Sequence, residues 1–263
     1  MGISWKTLAL AGVLGLGAVS TVVAAEDAAK PTGYLAGRFA PGQAYVPPPP
    51  QAGSPEQTAD QAVFEQTRKL KDGPRWLVAQ ADADIDPKSA ARLWDCSVHA
   101  RLGEHQGPAT TRLLTRMYLD VAASYGAAKE FYKRPRPIVG NDAPICVTRD
   151  KHLAESFSYP SGHSSISWAW TLAMAEMEPD RAGEILRRGA EVGDSRVVCG
   201  VHWVTDVEAG RRVGAAVFSA EQNAPDFQAD LRAAKAEIDA RRAVGASNPV
   251  CTAEDEALKK PAF

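Results

Sequence analysis

The sequence predicts an all-α fold, a multi-helix bundle forming one domain, and three observations predict it. Apolar residues recur at spacings of three and four along most of the chain. No stretch alternates apolar and polar residues with the period of a half-buried strand. The segment from Ser164 to Met177 is apolar nearly all round, as a central buried helix requires.

Residues 1–25 read as a secretory signal. Lys6 supplies a positive start, Leu8 to Val23 an uncharged apolar stretch, and Val23-Ala24-Ala25 small residues for cleavage. That stretch is short and rich in Gly and Ala, and no comparable run follows, which favours an exported, soluble protein over an anchored one. Removal of residues 1–25 leaves 238 residues, enough for one large hydrophobic core. The mature chain carries 29 Lys plus Arg against 32 Asp plus Glu, a balance that argues against nucleic-acid binding by bulk electrostatics.

Residues 26–58 are rich in Pro, Gly and Ala and include Pro47 to Pro50, so they are expected to run extended over the surface. The helical domain is expected over 59–245, starting near Ala59. Its first apolar positions are Val63, Phe64 and Leu70; after the start signal Asp86-Pro87 come Ala90, Leu93, Trp94 and Val98. Leu113, Leu114, Met117, Tyr118, Val121 and Tyr125 mark a longer helix that two prolines stop near Pro137. The buried helix from Ser164 comes next, with Ile166, Trp168, Trp170, Leu172 and Met174. Further helices are expected from about Asp180 (Ile185, Leu186, Ala190), from His202 (Val204, Val207, Val213, Val217) and from Asp226 (Phe227, Leu231, Ile238). The polar tail at 246–263 is expected to be loop or partly disordered. Four cysteines, Cys96, Cys146, Cys199 and Cys251, suggest two disulfides in an oxidising compartment, with three connectivities open.

Three clusters carry chemistry. Lys129 precedes Arg136-Pro137; Pro160-Ser161-Gly162-His163 opens the buried helix; Ser195-Arg196 precedes His202 and Asp206. A phosphate monoester carries nearly two negative charges, with a second pKa of about 6, and needs several cations and directed N–H groups. Arg136 and Arg196 offer planar forks and Lys129 a compact charge. Ser161 can cap the helix, and Gly162 lets its backbone approach an anion. Spaced by four, His202 and Asp206 share a helix face, so the carboxylate can hold Nδ1–H and leave Nε2 free to attack phosphorus. His163 has no carboxylate three or four residues on, which makes it the proton donor. Taken singly, each cluster is an ordinary solvated face, turn or surface pair; their order and spacing together point to a phosphate site.

These residues resemble the three-part signature of the type 2 phosphatidic acid phosphatase and vanadium haloperoxidase superfamily, Lys-x6-Arg-Pro, Pro-Ser-Gly-His and Ser-Arg-x5-His-x3-Asp. Within it the chain is similar to bacterial class A non-specific acid phosphatases through SYPSGHSS at Ser158, SRVVCGVHWVTDV at Ser195, DQAVFEQTRKL at Asp60, the proline run and the helix near Ala233 to Ala240. The resemblance implies a periplasmic or secreted, all-helical, metal-independent enzyme that needs no cofactor and acts on small monoesters such as nucleotides, sugar or aryl phosphates. It leaves a homo-oligomer open and implies no membrane partner once the signal is removed. By the same resemblance His202 is the nucleophile, His163 the general acid and Asp206 the orienting carboxylate, while Lys129, Arg136, Ser161, Gly162 and Arg196 bind phosphate. Related sequences carry cysteines at Cys146 and Cys199, which implies that pair and, by remainder, Cys96 with Cys251. Phe157 replaces the family's usual Gly before Ser158-Tyr159 and is expected to narrow or line the pocket mouth; Pro135 is also unusual.

Three other readings compete. A vanadate-dependent haloperoxidase would use nearly the same residues, but chain length and the flanking likeness disfavour it. A membrane lipid phosphatase would need several apolar spans of about 20 residues. A non-catalytic phosphate binder has no use for a His-Asp pair beside a second histidine.

Overall fold

The computed structural model describes residues 1, 2, 31–245 and 248–263; the signal sequence expected at 1–25 lies almost wholly outside the described residues. Residues 31–263 form one compact unit of helices, with no strand among the described residues.

Helix α1 (Pro55–Arg68) begins four residues earlier than its apolar pattern, because Ser54 caps it, accepting from Gln57 N–H at 3.2 Å, with Pro55 at the first helical position. Helix α2 (Pro74–Ala81), too short to show a period, buries Trp76. The segment expected to be helical from Ala90 to Val98 is a 3₁₀ turn, Ala90–Trp94, running into the single turn α3 (Asp95–Val98). Helix α4 (Pro108–Tyr132) starts under a carboxylate supplied from elsewhere. Glu237 accepts from the N–H groups of Ala109 and Thr110 at 2.9 and 2.8 Å, satisfying donors that the helix cannot satisfy itself. It ends where Lys133 turns left-handed at φ 49°, two residues before the first proline.

After α5 (Lys151–Glu155), the central helix α6 (Gly162–Met177) buries Ile166, Trp170 and Met174 completely. Its buried hydroxyls bond back to carbonyls one turn earlier, Ser165 to Ser161 at 2.8 Å and Thr171 to Ser167 at 2.6 Å. Helices α7 (Ala182–Val198), α8 (Val204–Glu221) and α4 pack around it, and α9 (Pro225–Val244) lies against α4. At Gly210 a Cβ would sit 2.6 Å from the Ser161 carbonyl, so glycine permits the close approach of α8 to the start of α6.

Two expectations are corrected. The proline-rich segment does not merely lie on the surface: Tyr34 and Val46 enter the core, Tyr34 Oη donates to Asp230 at 2.8 Å, and Tyr159 Oη donates to the Pro47 carbonyl at 2.6 Å. The polar tail forms helix α10 (Cys251–Leu258), tied down by the Cys96–Cys251 disulfide, by buried Leu258 and by Glu254 on Arg188 at 3.0 Å. Its polar sequence hides this, because a bond, an ion pair and one leucine hold it in place of an apolar stripe. The second disulfide joins Cys146 to Cys199, so both pairs match those implied by the resemblance. No helix among the described residues is long and apolar enough to cross a membrane.

Candidate active site

The last turn of α4 carries Lys129, whose ammonium donates to the carbonyls of Phe157 and Ser158. The left-handed Lys133 reverses the chain and carries Arg134 to Pro137 back beneath the start of α8. Arg136 is buried; its Nε donates to Ser156 O at 3.0 Å, and its Nη1 donates to Val201 O at 2.8 Å and lies 2.9 Å from His202 Nε2. Arg196 comes from the last turn of α7. It is also buried; among the described residues its Nε has no hydrogen-bond partner and its Nη1 lies 3.9 Å from Cys199 Sγ. None of these three cations pairs with a carboxylate among the described residues. Burial of unpaired charge is costly, and the two buried guanidinium groups and the half-buried ammonium, all of which act on His202, have the charge an anion would offset.

Ser161 caps α6, accepting from Ser164 N–H at 3.3 Å, and its own N–H goes to Asp206 O at 2.9 Å. Gly162 and His163 open α6, and among the described residues no acceptor outside the helix bonds their N–H groups, so the positive end of the helix lies at this point. Gly162 serves packing as well as approach to an anion: a Cβ there would lie 2.8 Å from Cζ of Tyr125.

His202 is not on a helix with Asp206, contrary to the four-residue expectation. It lies in the turn before α8, and Asp206 is the third residue of that helix, where its Oδ2 also accepts from Trp203 N–H at 2.8 Å. The pair still forms, His202 Nδ1 to Asp206 Oδ2 at 3.3 Å, because a helix N-terminus folds its third side chain back over the preceding residues. The Nε2 atom expected to stand free instead faces Arg136. Burial and the charges of Arg136, Lys129 and Arg196 push the proton affinity of His202 well below the usual histidine range, so Nε2 keeps its lone pair. His163 is depressed in the same way by burial, Arg196, His202 and Arg136, against a hydrogen bond from its Nε2 to Ala83 O at 2.8 Å that acts in the other direction. Arg136 and Arg196 thus act on both histidines, and His202 acts on His163. Lys129 is pushed down to about 7 by burial and Arg136, with Asp206 opposing.

Four contributors escaped sequence reasoning. Arg134 is held by Asp60 and Asp206; Ser158 Oγ donates to Asp206 Oδ2; Tyr125 packs on Gly162; Ala83 supplies a carbonyl to His163. Arg134 lies inside the first cluster and Asp60 opens DQAVFEQTRKL, but nothing in either segment shows that they meet. Ser195 faces away, donating to Asp82 at 2.6 Å. Pro135 is exposed, and its carbonyl accepts from Trp203 Nε1 at 3.1 Å.

The PAP2 superfamily model matches residues 109–224, which span α4 to the end of α8. The chain is 39% identical over 199 residues to an acid phosphatase of Zymomonas mobilis, covering 75% of each chain. It is 37% identical over 199 residues to a non-specific acid phosphatase of Salmonella typhimurium, covering 74% of this chain and 79% of that one. A solved transmembrane PAP2-type phosphatidylglycerolphosphate phosphatase from Bacillus subtilis is 22% identical, with a TM-score of 0.45, covering 63% of this chain and 84% of that one. The chain belongs to the PAP2 superfamily. Within it the chain groups with the acid phosphatases, which are phosphoric monoester hydrolases.

Proposed function

We propose that this chain is a periplasmic or secreted acid phosphatase of broad range that works through a phosphohistidine. The observation that carries the reading is the pair of buried guanidinium groups, Arg136 and Arg196, with the half-buried Lys129 ammonium around His202, none of them with a carboxylate partner among the described residues. Lys129, Arg136, Arg196, Ser161 and the N–H groups of Gly162 and His163 hold the phosphoryl oxygens. Phosphate draws Arg136 off Nε2; Nε2 attacks phosphorus as the ester P–O bond breaks, and Asp206 holds Nδ1–H. His163 gives its proton to the departing alkoxide. Because its Nε2 is engaged by Ala83, Nδ1 is the atom that delivers it. The dianion offsets the charges that keep His163 neutral in the empty site, so the proton arrives with substrate. Water, giving a proton to His163, then attacks phosphorus; a P–O bond forms as the P–N bond breaks, releasing phosphate and returning the electron pair to Nε2 of His202. All these groups address the phosphoryl end, which supports a broad choice of nucleotide, sugar or aryl esters. Two disulfides fit an oxidising compartment, and export by residues 1–25 would place the enzyme there.

Acid-quench trapping with labelled aryl phosphate tests the chemistry. Label is expected on a His202 peptide of the wild type and absent from His202→Ala, while His163→Ala still phosphorylates with a good leaving group and stalls with a poor one. A phosphoryl group retained covalently on the His202→Ala protein would overturn the assignment.

A further inference from the structure

Arg134 lies beside the site and, unlike Lys129, Arg136 and Arg196, is paired with carboxylates. Its Nη1 donates to Asp206 Oδ1 at 2.6 Å and Thr205 Oγ1 at 2.7 Å; its Nη2 donates to Asp60 Oδ2 and Gln57 Oε1, both at 2.7 Å. Asp60 in turn accepts from Thr205 N–H at 3.1 Å and from the Thr205 hydroxyl at 2.6 Å. The Arg134 carbonyl accepts from Ser158 N–H at 2.8 Å, and Ser158 Oγ both donates to Asp206 Oδ2 and lies 3.4 Å from His202 Nδ1. Thus α1, the loop after α4, the residues before Pro160 and the start of α8 are joined around one carboxylate. Arg134, Asp60, Ser158 and Asp206 are all buried.

Asp206 Oδ2 takes three donors, and the contact to the imidazole, at 3.3 Å, is longer than that to Trp203 N–H at 2.8 Å. The ring therefore does not fix the carboxylate; the carboxylate is fixed by its other partners and the ring adjusts to it. We infer that Arg134, anchored by Asp60, is a positioning residue for His202, acting through Asp206 to keep the proton on Nδ1 and the lone pair on Nε2. This rests on the proposed role of His202 as nucleophile. A planar fork that bridges two carboxylates is needed, which an ammonium cannot reproduce.

Three readouts on the full chain separate positioning from simple loss of structure: single-turnover phosphoenzyme formation, the inhibition constant of inorganic phosphate, and the ¹⁵N tautomer signature of the His202 ring, assigned by its loss in His202→Gln. In Arg134→Gln phosphoenzyme formation is expected to slow about 10²-fold, the scale of a misplaced catalytic group. Phosphate inhibition should stay within about threefold, since Lys129, Arg136 and Arg196 are untouched, and the Nδ1–H tautomer should give way to a mixture. Arg134→Lys, which keeps the charge without the fork, should lose rate as Arg134→Gln does, and full activity in it would overturn the inference. If Arg134→Gln does not fold, the isosteric Asp60→Asn decides, with about a tenfold loss and the same split. A folded variant that phosphorylates within about twofold of wild type, or that loses rate and phosphate affinity in parallel, overturns the inference. Wild-type enzyme that acquires no phosphohistidine at His202 overturns the proposed function along with it, whereas normal labelling of wild type with unaltered kinetics in Asp60→Asn sinks this inference alone.

Discussion

Lys129 supplies a quantitative test of why this site should prefer acid. In the empty site its proton affinity falls to about 7, from burial first and Arg136 second. Lysine is charged below its pKa, so the third cation is present in acid and fades as pH rises through 7. A bound dianion restores the charged form, and binding above pH 7 must take up one proton. Sulfate, which stays a dianion across this range, can stand in for phosphate. Each pH unit above 7 then raises its dissociation constant about tenfold, or about 1.4 kcal/mol, so affinity falls on the order of 100-fold between pH 7 and 9. Arg136 and Arg196, both lowered to about 10 by burial, stay charged in that window; His163, which can take up a proton of its own with the dianion, is removed by measuring the slope, and the Lys129→Gln comparison, in a His163→Gln background. Calorimetric titration with sulfate at fixed ionic strength, in buffers of different ionisation enthalpy, reads both affinity and proton uptake. Lys129→Gln should bind more weakly at pH 6 and lose the slope from 7 to 9. A wild type with flat affinity across that range, or a Lys129→Gln variant that keeps the slope, would refute the reasoning.

Two further outcomes concern packing and folding. Both carboxyl oxygens of Glu221 are buried without a donor, and Asp120 lies beside it, so burial and that neighbour hold its carboxyl well above the usual 4.5 despite Arg116. A raised acid in the folded state gives stability that is present below 4.5 and lost as pH rises toward its folded pKa, by up to about 1.4 kcal/mol per unit. Glu221→Gln, whose amide can donate to Asp120, should leave the melting temperature unchanged at pH 4 and raise it at pH 7; an equal effect at both values counts against this account. Gly162→Ala should cost about 1–3 kcal/mol by forcing Tyr125 aside, with a smaller cost in a Tyr125→Leu background. Equal costs in the two backgrounds would remove the steric explanation.

Much of the helical order was legible because burial leaves a period in the residues. Ile166, Trp170 and Met174 mark α6 as central from their spacing alone, and Val204 to Val217 mark α8. What lacked a period was missed: α2 has only eight residues, and α10 is polar, held by Cys251, Glu254 and Leu258. Tyr34 and Val46 anchor a segment whose prolines alone suggest a surface strap.

The same division runs through the site. The order of Lys129, Arg136, His163, Arg196, His202 and Asp206 by itself determined the kind of chemistry, since residue types and short spacings state which donors, cations and imidazoles are at hand. Only the tertiary structure decided which cations stay unpaired. Arg134 and Arg136 are two residues apart and alike in sequence, yet Asp60, 74 residues from Arg134, neutralises the first while the second faces His202 Nε2 at 2.9 Å. Charge pairing depends on distances between segments that the folded core sets, and a linear chain carries no record of those distances.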